Sequence, residues 1–221
     1  MCSVQFKGEV DMPSYSNQEL LDILDAQARK FSPSGTRFKF IKEASDLFFL
    51  LREKVPDSIS VPSGESRNLP LVLVFPFGLM PFEDQLQTVR YKGKSSHSFL
   101  NPEDIVNVVD APDRPTAAPY LLVNVECGYK SLGLSPYKAG VELTPRHAMN
   151  VEEVLALTII NPEIFSDHNL HASGSRILDT NHKLFVPDFY VYGGKIKMKR
   201  DSELDADPGW ATPSWESIIT L

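Results

Sequence analysis

Leu69-Pro-Leu-Val-Leu-Val-Phe75 is the stretch that decides the fold. It is a continuous, uncharged, β-favouring run, the signature of a strand buried on both faces. Tyr120-Leu-Leu-Val-Asn-Val125 repeats it and is closed by Gly128. Pro76 and Pro81 bracket a turn after the first run. Further along, Phe189-Tyr-Val-Tyr192, Gly193-Gly194 and Lys195-Ile-Lys-Met-Lys199 predict a hairpin by the two-residue Gly-Gly rule.

Helical signals alternate with these strands. Ser16-Asn-Gln-Glu19 predicts a capping box, followed by Leu20, Ile23, Leu24, Ala28 and Phe31 at helical spacing. A second helix is expected from Ile41 to Lys54, ending before Pro56, and residues 57–68 read as a surface loop. Asn101-Pro-Glu-Asp104 predicts a short helix through Val109. Asp110–Pro119 reads as a linker-like connection. Ser135-Pro136 and Asn150-Val-Glu-Glu153 open two more helices, the second stopping before Pro162. The expected fold is therefore mixed α/β (α+β): a single domain with a small mixed sheet flanked by helices and a C-terminal β-hairpin. A flexible lead-in over 1–15 precedes a domain at 16–221, helical over 16–56 and sheet-containing over 69–221.

Composition narrows the function classes. The chain has 221 residues, 42% hydrophobic and 23% charged, which suits a globular core rather than a disordered chain. Lys plus Arg is 22 against Asp plus Glu 29, a formal charge of −7. A negative mean field argues against nucleic acid as a partner. The cysteines, Cys2 and Cys127, form no disulfide framework. No secretory signal or membrane-length apolar run is read, so a cytoplasmic protein with no membrane partner is expected, and Met12 is an alternative start.

The search for chemistry yields fragments. Gly93-Lys94-Ser95 lacks the upstream glycine of a phosphate loop, since Thr88 stands there. Gly133-Leu-Ser135-Pro-Tyr137 lacks the second glycine of a nucleophile elbow. Cys127 reads as a small buried residue rather than a nucleophile. His168, His171 and His182 are weak metal candidates, because Ser166–Asn181 reads as loop and its histidines as solvated surface. Glu152 and Glu153 read as first-turn acids that offset the helix dipole, and Glu153, three residues after Asn150, completes a capping-box-like pair with it. No cofactor is expected.

Gly174-Ser175-Arg176 is the candidate anion site: glycine frees amides, serine adds a donor and arginine grips a carboxylate or phosphate. Arg146 is placed to converge on it. The competing reading is a salt bridge from Arg176 to Glu152 or Glu153. Lys195–Arg200 holds four cations, but Asp201, Glu203, Asp205 and Asp207 follow, and the two blocks are expected to neutralise each other. Trp210 and Trp215, in the last dozen residues, are candidate interaction residues. Their tail docks on its own domain or, second, forms a homodimer contact.

With these segments in order, residues 69–215 resemble a bacterial family catalogued as a domain of unknown function, number 5701. The matching pieces are Leu71-Val-Leu-Val74, Tyr120–Val125 with Gly128, Leu132 and Pro136, and Asn150-Val-Glu-Glu153 with Ala156-Leu157 and Pro162-Glu163. Gly174-Ser175-Arg176, Val186-Pro187 and Gly209-Trp210 complete the series. The family usually carries an acid where Cys127 stands, and arginines after Gly-Ser-Arg where this chain has Asp179-Thr-Asn-His-Lys183. Its counterpart to Lys195–Pro208 is shorter and less charged. The resemblance implies a fold and no mechanism. The functional expectation is a non-catalytic binding or interaction module for an unknown small molecule or protein. The alternative is an anion binder or enzyme built around Ser175 and Arg176.

Overall fold

In the computed structural model the predicted cap of the first helix forms in full. Ser16 N–H donates to Glu19 Oε2 at 2.8 Å and Glu19 N–H returns to Ser16 Oγ at 3.5 Å. The structure describes residues 13–31, 41–61, 68–107, 114–178 and 183–221. Cys2, Met12, residues 62–67 of the loop expected over 57–68, and His182 lie outside them. Helices α1 (Asn17–Lys30), α2 (Ile41–Arg52), α3 (Phe82–Thr88), α4 (Pro136–Glu142) and α5 (Val151–Ile160) alternate with strands, giving the mixed α/β class. Ser14–Ser16, within or adjoining the expected flexible lead-in, pairs antiparallel with Ser58–Ser60.

Leu69–Val74 and Tyr120–Val125 pair antiparallel, Leu71 opposite Val123, and Ser217–Ile219 adds a third strand on the far side of Tyr120–Val125. Both long strands are buried along almost their whole length, as their uncharged sequences require. The outer edge of Leu69–Val74 is closed by a side chain. Buried Gln27 of α1 donates to Leu71 O and accepts from Leu73 N–H, each at 2.8 Å, imitating a neighbouring strand. Helix α5 packs beside this strand and is buried on nearly every side, as the apolar run Val154–Ile160, broken only by Thr158, demands.

A second, seven-stranded sheet is mixed. Leu184–Tyr192 is its spine, with Asn169–His171 and Ser175–Leu178 antiparallel on one side and Lys195–Ser202 on the other. Trp210–Ala211 and His97–Ser98 join in parallel at the two flanks, and Ile105–Asn107 pairs with Ser175–Ile177. The hairpin turns at Gly193 and Gly194, both at positive φ (63° and 71°) as that turn needs. One apolar cluster runs from Leu20 to Trp215 and joins the two sheets.

Four local expectations change. The loop expected over 57–68 contains a strand, Ser58–Ser60, held extended by Ser14–Ser16 from a distant part of the chain. The helix expected over 101–109 is a single 3-10 turn, Pro102–Asp104, followed by the strand at 105–107. Its β-branched residues take a ladder partner instead of an isolated, costly helical nucleus. The loop expected over 166–181 contains two strands, Asn169–His171 and Ser175–Leu178. They are short and polar, and only the long hairpin strand 184–192 holds them extended. Helix α3 was not anticipated, although Pro81 precedes it and Glu83 and Asp84 occupy its first turn. Among the described residues no helix is long and apolar enough to cross a membrane.

Candidate functional site

Gly174, Ser175 and Arg176 form a clamp on the start of α5. A Cβ on Gly174 would lie 2.6 Å from Ala148 O and 2.8 Å from Asn150 N, so only glycine allows the approach, and its N–H donates to Met149 O at 2.7 Å. Ser175 Oγ accepts the otherwise orphaned N–H of Val151 at 3.0 Å. Arg176 Nε pairs with Glu203 at 2.9 Å, and its Nη1 donates to Ser173 O and Ser175 O. An internal ion pair thus forms, with Glu203 rather than Glu152 or Glu153 as partner. Arg146 does not join it: its guanidinium serves Ser214 Oγ, Ser214 O and Asn124 O. The arginines expected to converge tie down different segments.

Glu153 is more than a first-turn acid. Fully buried, it completes the α5 capping box with Asn150 and receives Arg114 Nε at 2.6 Å, Trp215 Nε1 at 3.2 Å and Tyr120 Oη at 3.4 Å. Burial, with the Glu153 charge adding to it, pushes the Tyr120 hydroxyl well above its ordinary range. Arg114 also covers the Trp215 ring at 5.5 Å, and His147 contacts the ring from 4.5 Å. Trp215 is therefore a buried strut. Trp210 is buried as well, stacked at 4.7 Å on His171. Both indoles pack against their own domain: Trp215 Nε1 donates to Glu153, and Trp210 stacks on His171 with 9% of its surface exposed.

His168 and His171 are buried rather than solvated. His168 Nε2 donates to Cys127 O at 2.9 Å, and Cys127 is itself fully buried. His171 Nδ1 donates to Asp188 Oδ1 at 2.6 Å across the Asn169–His171 and Leu184–Tyr192 ladder. Burial lifts the Asp188 carboxyl to about 6 against the opposing pull of His171. Different partners hold the two histidines, and among the described residues no group of three His, Cys, Asp or Glu could hold a metal. A cleft of about 490 Å³ runs past Asn68, Tyr129, Asn161, Glu163 and Asp167, where Tyr129 Oη donates to Asp167 at 2.5 Å.

The surface with unused recognition chemistry is the outer face of the seven-stranded sheet. Along Lys195–Ser202, Ile196 and Met198 face the core, so Lys195, Lys197 and Lys199 face outward. The register sets Tyr192 opposite Lys195, Tyr190 opposite Lys197 and Asp188 opposite Lys199, on the same outer side. His97 stands beside Lys197 from the flanking strand, with Phe99 against His97 at 4.7 Å. Lys197 Nζ lies 4.5 Å from the Tyr192 ring centre and 5.5 Å from that of Phe99, while Lys199 Nζ lies 5.7 and 5.5 Å from Tyr190 and Trp210. Phe99 and Tyr192 are 62% and 66% exposed. Lys94 reaches the same corner, donating to Gly193 O at 3.1 Å.

The acidic block after the lysines neutralises Lys199 but reaches neither Lys195 nor Lys197 among the described residues. Asp201 pairs with Lys199 at 2.5 Å, Glu203 turns away to Arg176, and Asp207 accepts from Gly209 N–H at 2.8 Å. Among the described residues no carboxylate lies within 4.0 Å of Lys94, Lys195 or Lys197. Sequence reasoning missed this face, because adjacency along the chain shows neither that Glu203 is drawn to Arg176 nor that Phe99 and Tyr192 are brought beside Lys197. It also missed Arg114, Glu153 as a buried hub, and Asp188. Asp188 left a signal: it is the lone charge within Leu184–Tyr192. No family model, curated protein or solved structure matches the chain.

Proposed function

We propose that the protein is a binding module and that its ligand-bearing surface is the outer face carried by the 184–202 hairpin. The observation that supports this reading is Lys197, free of any carboxylate among the described residues and set between the exposed rings of Phe99 and Tyr192. Large aromatics exposed beside unneutralised cations are a recurrent mark of an interaction surface. The ligand class they suit is anionic with a flat or apolar part. Residues 69–215 are further proposed to share the fold of the uncharacterised bacterial family named above, on the order of the matching motifs; a determined structure of a member tests it by superposition.

The binding reading is tested by thermal unfolding at low ionic strength with sulfated, phosphorylated and carboxylated ligands, heparin included. Ligand at a hundred times its Kd stabilises by about 2.7 kcal/mol. The expected result is a rise in Tm that Lys197→Glu removes while leaving the unliganded Tm in place. A panel without any shift, or a shift untouched by Lys197→Glu, overturns it.

A further inference from the structure

The outer face has a geometry that selects among anionic ligands, and the following rests on the binding reading above. Lys195, Lys197 and Lys199 recur every second residue of one strand, about 6.5–7 Å apart. Beside that row stand rings from three other segments: Phe99 with His97, Tyr190 with Tyr192, and Trp210 beyond them. The sheet order carries these positions across one continuous surface: His97–Ser98, Lys195–Ser202, Leu184–Tyr192, Asn169–His171, Trp210–Ala211.

We infer that this face binds single-stranded nucleic acid, with Lys94, Lys195 and Lys197 on phosphates and the exposed rings of Phe99 and Tyr192 stacking on bases. Regularly spaced cations track a phosphate chain, and flat rings accept unpaired bases of any sequence. Open sheets that display aromatics to solvent are a recurrent platform for such stacking. A duplex hides its base faces and leaves the rings without partners. An acidic peptide would use the lysines but gives no reason for two rings to stand more than 60% exposed. Lys199 belongs to the rim, since Asp201 already holds it at 2.5 Å.

The net charge of −7 does not forbid this. At physiological salt a surface charge is largely screened beyond about 8 Å, so a bound strand experiences the local lysines rather than the molecular average. The acidic remainder limits the site to a short, salt-sensitive contact. Three phosphate contacts give a slope of about −2 in log K against log salt, which is roughly a 20-fold loss of affinity between 50 and 200 mM.

The test is fluorescence anisotropy of the full chain with a labelled single-stranded oligouridylate of about ten nucleotides, within the reach of one small domain. The same strand as a duplex, its deoxy counterpart and heparin serve as competitors. The oligouridylate is expected to bind with a salt slope near −2, and the duplex to compete poorly. Tyr192→Ala and Phe99→Ala, both at exposed positions, are each expected to weaken binding about 5- to 150-fold with Tm unchanged. Lys197→Ala should flatten the slope by about 0.7. Oligonucleotide binding insensitive to all three changes overturns the assignment of the face. Heparin binding that depends on Lys197, without oligonucleotide binding that depends on the rings, overturns the nucleic-acid inference and leaves the binding module standing. If neither polymer binds, the nucleic-acid inference falls, and the binding reading falls with it when the thermal-unfolding panel also gives no shift.

Discussion

Replacing Arg114 with methionine tests the electrostatic hub that joins the chain's segments. Arg114 lies within the linker-like stretch Asp110–Pro119, Glu153 stands in the first turn of α5, and Trp215 belongs to the C-terminal tail; the three meet at one fully buried carboxylate. Arg114→Met retains most of the side-chain volume and removes the 2.6 Å Nε and 3.2 Å Nη2 donors to Glu153, so an uncompensated charge is left in the core. Breaking one side of such a pair costs about 3–5 kcal/mol, far more than losing an exposed pair. At an unfolding entropy of about 2.1 cal/mol/K per residue, about 4 kcal/mol over this chain length lowers Tm by roughly 9 °C. Urea unfolding followed by tryptophan fluorescence measures the loss, with Trp215 reporting locally. Adding Glu153→Gln removes the stranded charge, so the double variant should be more stable than Arg114→Met alone. A loss below about 1 kcal/mol, or a second change that simply adds its own cost, would refute the argument.

The Asp188 carboxyl, lifted to about 6 by burial, binds its proton more readily folded than unfolded. Its stabilising contribution is therefore complete below about pH 4 and lost as pH rises through about 6, by about 3 kcal/mol. Denaturation curves of the wild type should converge on or fall below those of Asp188→Asn over that window, and parallel pH profiles would contradict the burial argument. Gly174→Ala forces a methyl against three backbone atoms, of Ala148, Met149 and Asn150, and should cost about 2–3 kcal/mol in urea unfolding; a neutral change would mean that the clamp is loose. Ser175→Ala deprives Val151 N–H of its acceptor and should cost about 1 kcal/mol. Arg176→Ala, at a partly exposed pair, should cost about 1 kcal/mol or less, with a double-mutant cycle against Glu203→Ala assigning the coupling.

The strands at 69–74 and 120–125, the capping boxes at Ser16 and Asn150 and the Gly193-Gly194 turn were all legible in the sequence. Each is specified by residues within a few positions of one another: an apolar run, a reciprocal cap, a pair of glycines at positive φ. The strands at 105–107, 169–171 and 175–178 were not, because their extended form depends on partners far along the chain. The same divide governs the site. Composition supplied a net charge and a count of lysines, while the mixed fold followed from the order of local signals. Which lysines keep their charge unneutralised was decided by tertiary structure alone. Strand alternation turns Lys195 and Lys197 outward, Arg176 draws Glu203 away, and the sheet register brings Phe99 and Tyr192 to either side of one ammonium. Local propensities need only neighbours in sequence, whereas an electrostatic surface depends on distances that exist only after the sheet has assembled.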